Sequence, residues 1–468
     1  MKQNPLVTVY ITNHNYGRFL RQAIESVVNQ TYGRIEILII DDGSTDGSRE
    51  IVSQYAGLPN ARVVLQENKG LNATNNVALR AARGDYFVRL DADDYMVPYA
   101  IAMMVALMEG NPDVGLVFPD YYYVDEVGNI IGVESRHDFD REVSLYDLPS
   151  HGACTMVRTE ELRRLGGYNE SFSCQDGYEL WIKFILNSKV TNISKPLFYY
   201  RQHKSSLTRD ESRILETRKS IKRHYVEEYL IPNVKAVAVV PVRPNTVSGR
   251  LWALSEFEGM TIIGSAIQKL VECGCFEEII VTCSEPRILA EVERSIVSGE
   301  VNTDRVNVIT HQRSREFELA NLSLDLTLNE IMEMYRIGQR FEAIGLLGIE
   351  TPLIKASTIA EAVHSLRLFK ANSVICVRQD HSSYFTHNGD GMTLIFEKSR
   401  YTNYERKMLY RRINGFSIAR IDEYMRHQSF LTSRLSHVLV GPEESLTIQS
   451  DMDFKLYSHL ASLLSIRD

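Results

Sequence analysis

The chain has 468 residues, 44% hydrophobic and 24% charged, with 52 basic and 60 acidic side chains for a net charge of -8. That length predicts two domains rather than one, and the composition is that of a globular protein. The acidic surplus argues against a nucleic-acid partner, because phosphate contacts need a basic surface. Six cysteines are scattered, and only Cys273 and Cys275 are close together. Reduced, buried cysteines in a cytoplasmic protein are expected. No apolar run approaches the roughly 20 residues of a membrane span, and the N-terminus runs into a strand without a secretory leader. Membrane contact is expected to be peripheral at most.

The first half alternates strand and helix signals. Residues 6–12 read as a buried strand. Residues 16–30 form an amphipathic helix with Phe19, Ala23, Val27 and Val28 at helical spacing. Strands follow at 35–40, 61–65 and 86–90, with helices at 48–56 and 68–82 between them. This alternation implies βαβ units and a mainly parallel sheet. Beyond residue 91 come a helix at 98–108, a strand at 114–118 and a hairpin at 121–132 turning at Val127-Gly128-Asn129. A strand end and helix at 155–167 close on a glycine pair, and a charged helix covers 210–229. A fresh strand at Ala236–Pro241 then marks the domain boundary, giving domains 1–228 and 235–468. The second half alternates again, with helices at 262–273, 285–297 and 357–369, and strands at 278–282, 306–309, 343–347 and 373–377.

Two acidic clusters carry the chemistry. Asp41-Asp42-Gly43-Ser44-Thr45-Asp46 follows the second strand, and Asp91-Ala92-Asp93-Asp94 follows the fourth. In open α/β sheets ligands bind beyond the carboxyl ends of the strands. Carboxylates there suit gripping a nucleotide and holding a divalent metal beside its phosphates. The alternation of an extended turn aims Asp91 and Asp93 the same way, so the two can share one hard cation.

Further motifs follow in order: Thr12-Asn13-His14-Asn15-Tyr16, Asn68-Lys69-Gly70 with Asn76, Leu165-Gly166-Gly167-Tyr168-Asn169-Glu170, Gln175-Asp176-Gly177-Tyr178-Glu179-Leu180-Trp181, and Tyr200-Arg201-Gln202-His203 with Ser206. With the two acidic clusters, this series resembles the family 2 glycosyltransferases of GT-A fold over the first 225 or so residues. The resemblance implies an inverting, metal-dependent glycosyltransferase using Mn²⁺ or Mg²⁺. Its donor would be a nucleoside diphosphate sugar, UDP-linked by default. Its acceptor would be a glycan or lipid-linked glycan, in bacterial surface-polysaccharide or glycoconjugate assembly. By similarity Asp93 ligates the metal, Asp91 assists at the ribose or metal, and Asp42 and Thr12 hold the nucleoside. Arg201 and His203 sit at the donor phosphates or metal. Asp176 is the base that deprotonates the acceptor hydroxyl. Two positions depart from the family pattern: Gln175 stands where Glu is usual, and Asn75 where Arg is frequent. Read singly, Asp176 also suits a helix N-cap, His203 a structural hydrogen bond, Arg201 a surface ion pair, and Tyr121-Tyr122-Tyr123 half-buried strand packing.

The second half resembles the cytidylyltransferases that activate sialic and related acids. Val239-Val240-Pro241-Val242-Arg243, Glu278 to Ser284, Leu346-Leu347 through Thr351-Pro352-Leu353, Asn372-Ser373-Val374 and Asn414-Gly415 carry the likeness. The family's chemistry is depleted. Arg250-Leu251 stands for its Lys-Asn pair, Gly348 for its base-contacting Gln, and Thr282-Cys283 for its Thr-Asp. Only Asp451 and Asp453 lie near its closing acidic region. The expected architecture is therefore two Rossmann-like α/β domains: a GT-A domain, then a nucleotidyltransferase-like domain without activity of its own. The latter would bind a partner, an acceptor or a nucleotide, or hold a homo-oligomer. Three alternatives stand beside this one. The chain could be bifunctional, with a live CMP-sugar-acid synthetase half, which the missing carboxylates oppose. It could be a non-catalytic scaffold binding sugar nucleotides, which the presence of Asp93 and Asp176 opposes. The first domain could be a nucleotidyltransferase, for which Asn13-His14-Asn15-Tyr16 lacks the expected arginine-glycine-lysine loop.

Overall fold

The computed structural model describes residues 4–134, 151–203, 210–244, 246–247, 250–257, 259–318, 323–380, 382, 384–387, 392–394 and 409–464. Ser206, of the closing motif, lies outside them. The chain divides into two compact units: Met1–Ile221 with Ser383–Lys407, and Lys222–Ser382 with Met408–Asp468.

The first unit is built on nine strands: β1 (Val7–Asn13), β2 (Ile35–Asp42), β3 (Ala61–Gln66), β4 (Tyr86–Asp91), β5 (Tyr95–Met96), β6 (Val114–Val124), β7 (Ile130–Glu134), β8 (Met156–Arg158) and β9 (Lys189–Arg201). Its main helices are α1 (Gly17–Val28), α2 (Ser48–Ser53), α3 (Leu71–Ala81), α4 (Ala100–Gly110), α5 (Thr159–Arg164), α6 (Asp176–Ile185) and α7 (Glu211–Glu228), the last running past the unit's boundary. The sheet order is β3-β2-β1-β4-β8-β6-β9-β5, with β7 on β6. It is parallel from β3 to β4, as the βαβ pattern predicts. It then turns mixed, because β8 lies antiparallel to both β4 and β6.

Every residue of β1 and β2 is buried, the mark of strands covered on both faces. Alternate residues serve opposite layers. Val7, Val9 and Ile11 pack with α1 and α4, whereas Tyr10, Leu38 and Ile40 pack with α3 and α6. The hairpin forms as predicted, with Asp125 O and Asp125 Oδ1 both bonded into the Val127–Asn129 turn. Strand β9, 13 residues long, has no counterpart in the sequence reading. Its first half is polar, and Pro196 interrupts the alternation where the register against β6 shifts; a proline sits in a strand most easily at such an irregularity.

Parallel register fixes the site's scaffold. Thr12 pairs with Asp91 on one side and Ile40 on the other, and Asn13 pairs with Asp41. The carboxyl ends of the three central strands are thus level, and their polar residues emerge together.

The second unit carries a seven-stranded mixed sheet. Its order is Asn307–Gln312, Glu278–Cys283, Ala236–Pro241, Ala343–Leu347, Leu409–Arg420, Ser373–Asp380, Leu435–Leu439. Its first four strands repeat the opening order of the first sheet: third, second, first, fourth. Helices Ile262–Glu272, Pro286–Val297 and Ala356–Leu368 occupy the predicted places. Among the described residues, no helix is long and apolar enough to cross a membrane.

Candidate functional site

The first acidic cluster divides its labour. Asp41 is fully buried and holds the loop: it accepts from Asn13 Nδ2 at 2.8 Å and from the Ser44 amide at 3.1 Å. Asp42, 6% exposed, accepts from the Lys69 amide at 2.8 Å, the Gly70 amide at 3.0 Å and Gln66 Nε2 at 2.7 Å. The glycine turn is therefore closed onto Asp42. Gly70 is at φ +83°, a conformation an L-residue adopts only with strain. His14 Nδ1 lies 2.7 Å from the Asp42 carbonyl and its ring is reached by Asn68 Nδ2, so His14 joins the same pocket wall.

The second cluster meets the closing segment. Asp93 Oδ2 lies 2.8 Å from His203 Nε2; the imidazole is fully buried and the carboxylate 13% exposed. Tyr16 and Phe19 hold the ring from α1, at 5.5 and 5.6 Å between centroids. Thr12 Oγ1 lies 3.4 Å from Asp91 Oδ1. Arg201, 2% exposed, lies behind this arrangement. Its guanidinium donates to the carbonyls of Asp93, Asp125 and Glu126 and to Gln22 Oε1, at 2.7–3.2 Å. Those bonds take four of its five N–H groups, and the ring of Phe19 covers it at 4.5 Å. The Arg201 amide also donates to Asp94 Oδ1 at 2.9 Å. Arg201 thus braces the loop that carries Asp93.

Charge in this loop is poorly balanced. Burial raises the Asp91 carboxyl to about 6, with Asp93 and Asp176 adding to the rise and Arg89 opposing it. Burial, then Asp93 and Asp91, hold Asp94 well above the usual carboxylate range. Tyr16 is pushed up to about 12 by burial and by the same three aspartates. A carboxylate and an imidazole side by side, amid an excess of negative charge, fit a divalent cation. Among the described residues no third acidic, histidine or cysteine side chain completes a cluster. The remaining ligands would come from diphosphate oxygens and water.

Asp176 opens α6, where the positive end of the helix dipole favours its charge. Its Oδ2 forms an ion pair with Arg89 Nη1. The same guanidinium reaches Asp91, with Nε 3.0 Å from Oδ1 and Nη2 3.3 Å from Oδ2. Arg89 is 5% exposed. Burial works against its charge, but Asp176 and then Asp91 outweigh that. The sequence reading did not single out Arg89, although a charged residue inside the apolar strand Tyr86-Phe87-Val88-Arg89-Leu90 was a signal.

The glycine-pair turn is tied to α3. Asn76 Nδ2 donates to the Tyr168 carbonyl and Glu170 Oε1, both at 2.8 Å, and its Oδ1 accepts from the Tyr168 amide. Glu179, completely buried, pairs with Lys183 at 2.9 Å, and Lys183 also donates to the Gly167 carbonyl. Both departures from the family pattern are engaged by protein partners. Asn75 is fully buried and accepts from the Tyr10 hydroxyl at 3.1 Å, while Gln175 Oε1 accepts from Arg218 Nε at 2.8 Å. In the Tyr121-Tyr122-Tyr123 run, Tyr121 is core and Tyr122 stacks on Tyr199 at 5.1 Å.

The model of glycosyl transferase family 2 matches residues 8–161, which include both acidic clusters. Glycosyltransferase GlyG of Streptococcus pneumoniae is 30% identical over 223 residues, covering 44% of this chain and 74% of GlyG. The chain belongs to glycosyltransferase family 2. It is a glycosyltransferase, and the first unit's mixed sheet is that of the GT-A fold. Chondroitin synthase of Escherichia coli is 30% identical over 202 residues, covering 42% of this chain. The matched stretch spans only 29% of that synthase's own length. Among solved structures, S. aureus TarS 1-349 in complex with UDP-GlcNAc is 20% identical, covering 47% of this chain and 66% of TarS 1-349, with a TM-score of 0.40.

In the second unit, the carbonyl of Asn414 occupies the space a Cβ on Gly348 would need, so no glutamine fits there. Glu350 is raised by burial, with Arg243 opposing. Asp453 caps the Asp451–Leu464 helix through Ser450 Oγ at 2.8 Å and the Gln449 amide at 3.0 Å. Thr282 and Cys283 are fully buried.

Proposed function

We propose that the first unit is an inverting, metal-dependent glycosyltransferase. Its donor is a nucleoside diphosphate sugar, UDP-linked by first choice, and its acceptor a hydroxyl of a glycan or lipid-linked glycan. The pairing of Asp93 with His203 beside the over-negative Asp91–Asp94 loop is the observation that carries this reading. In it Asp93 and His203 would hold a Mn²⁺ or Mg²⁺ ion, with Asp91 at the ribose or metal. The cation would supply charge neutralisation at the departing diphosphate. Thr12 lines the nucleoside pocket. Asp42 accepts a hydrogen bond from the base, the N3–H of uracil by first choice.

Asp176 takes the proton of the acceptor hydroxyl. The oxygen forms its bond to the anomeric carbon as the carbon–diphosphate bond breaks, and the electron pair leaves with the diphosphate. Attack opposite the leaving group inverts the anomeric centre. Arg201 contributes from behind, by fixing the Asp93 loop. A relative named chondroitin synthase supports a place in bacterial polysaccharide or glycoconjugate assembly, in the cytoplasm where nucleotide sugars are made. The domains are proposed as 1–228 and 235–468. The second is a cytidylyltransferase-like relative without activity, a reading supported by the filled space at Gly348 and by Asp453 serving as a helix cap.

The test is a screen of UDP-, GDP- and dTDP-sugars for binding and hydrolysis with Mn²⁺, Mg²⁺ or EDTA, on wild type and Asp93→Ala. Metal-dependent binding of one donor, lost in Asp93→Ala, is expected. Binding of CTP or CMP alone, unchanged in Asp93→Ala, would overturn the assignment.

A further inference from the structure

The structure assigns to Arg89 the role of a positioning residue that holds the donor-side Asp91 and the base Asp176 on one guanidinium, in a space that Gly152 keeps open. This rests on the proposed roles of Asp91 and Asp176. A buried arginine normally answers one carboxylate. Here the planar fork reaches two that belong to opposite halves of the reaction, Asp91 at the end of β4 and Asp176 at the start of α6. Arginine suits this task because its donors are fixed in one plane and its charge persists. Lysine offers a point charge on a flexible stem.

Side chains and backbone of three further segments pack around the guanidinium. Tyr10 of β1 bonds to Tyr168 at 3.2 Å, and both hydroxyls feel Arg89 and Asp176. Gly152 lies against both partners. A Cβ built there would clash with Arg89 Nη2 and stand 3.0 Å from both Arg89 Cζ and Asp176 Oδ2. The Cys154 amide bonds to the Arg89 carbonyl at 2.7 Å, which fixes the Gly152 segment against β4. No side chain fits at 152 without moving the arginine.

The consequence is a shared charge. One guanidinium answers both carboxylates, with Nε and Nη2 at Asp91 and Nη1 at Asp176. Removing Arg89 leaves the Asp91 and Asp176 carboxylates without their common counter-charge, and Asp91 is then no longer held in place for the donor. Neutralising Asp176 in the same chain relieves Asp91. Arg89 therefore couples the donor side to the base, and the coupling can be read without turnover.

The experiment compares wild type, Arg89→Lys, Arg89→Gln, Asp176→Asn, Gly152→Ala and the double variant Arg89→Gln/Asp176→Asn. Calorimetry measures the affinity for whichever of UDP, GDP and dTDP the wild type binds best with Mn²⁺; release of that diphosphate from its sugar donor measures turnover. Arg89→Gln should weaken binding at least tenfold, and the double variant should recover at least threefold of that loss. Asp176→Asn alone should bind within about twofold of wild type while turnover is lost. Arg89→Lys, which keeps the charge but not the fork, should bind within about fivefold of wild type with kcat reduced at least tenfold. Gly152→Ala should behave like Arg89→Lys.

Unchanged binding in Arg89→Gln, or a double variant no tighter than Arg89→Gln, overturns the coupling. If Arg89→Gln does not fold, Arg89→Lys and Gly152→Ala decide: wild-type kcat in both overturns the positioning role. Full turnover in Asp176→Asn overturns the base assignment instead, and a wild type that binds none of the three diphosphates with Mn²⁺ overturns both readings.

Discussion

Asp42→Asn separates the anchoring bonds seen in the structure from the nucleoside contact proposed for the same side chain. The Asp42 carboxylate accepts three N–H bonds of 2.7–3.0 Å, two at Oδ1 and one at Oδ2. An asparagine can keep its oxygen at the Oδ1 position for Gln66 and Lys69, but its NH₂ then faces the Gly70 amide, donor against donor. One charge-assisted bond is lost and a partly buried amide is left unanswered, costing about 2–3 kcal/mol. For a unit of about 250 residues, each kcal/mol moves the midpoint by about 2–4 °C. Calorimetric scans should show the first unit's transition falling by about 5–10 °C, with the second unit's transition unmoved. UDP affinity should fall about tenfold or more, because the uracil N3–H loses a charged acceptor. A midpoint within 1 °C of wild type would refute the anchoring role. A lowered midpoint with unchanged affinity would refute the nucleoside contact and leave Asp42 as an anchor alone.

Glu179→Gln removes one partner of a buried ion pair and leaves Lys183 charged beside the Gly167 carbonyl. The expected cost is about 3–5 kcal/mol in urea unfolding of the first unit, and a loss under 1 kcal/mol would contradict it. In the second unit, burial brings His364 down to about 4 from 6.5, with Arg367, Arg223 and Lys222 adding to the fall and Glu227 opposing it. Between those values the unfolded chain takes up a proton that the folded chain does not. Stability therefore drops as pH falls from about 6.5 toward 4, by about 3 kcal/mol in total. His364→Gln should flatten that acid limb in urea titrations at pH 7, 6, 5 and 4; an unchanged limb would show that other groups govern it.

The parts of the fold that rest on local periodicity were legible. Strands β1, β2 and β4 are continuous apolar runs, and α1 carries a clean apolar stripe, so each lies within a few residues of its expected place. Strand β9 was not legible, because its polar first half and Pro196 hide the alternation, and only pairing with β6 makes it a strand. Motif order likewise drew attention to Asp93, His203 and Asp176, but said nothing about direction. Arg201 was expected at the donor phosphates; its bonds run to main-chain carbonyls behind the loop. Arg89 carried a sequence signal in its apolar strand, whereas Gly152 carried none. Its importance arises only because β4 and α6 bring two carboxylates to one guanidinium beside it.

The electrostatics of the site explain why so much buried charge persists. Burying an ion pair seldom adds net stability, yet breaking one is costly, so the Arg89 cluster is a poor device for folding alone. Four carboxylates, those of Asp91, Asp93, Asp94 and Asp176, gather around two buried arginines, and one of those, Arg201, gives its guanidinium to neutral acceptors. Burial raises Asp91 and Asp94, and their acidic neighbours add to it, which is the sign of a site short of positive charge. A cation bound between Asp93 and His203 would lower both carboxyls together, and by linkage its affinity must fall as pH drops toward the value of about 6 held by Asp91. A metal-bound diphosphate would meet that deficit of positive charge.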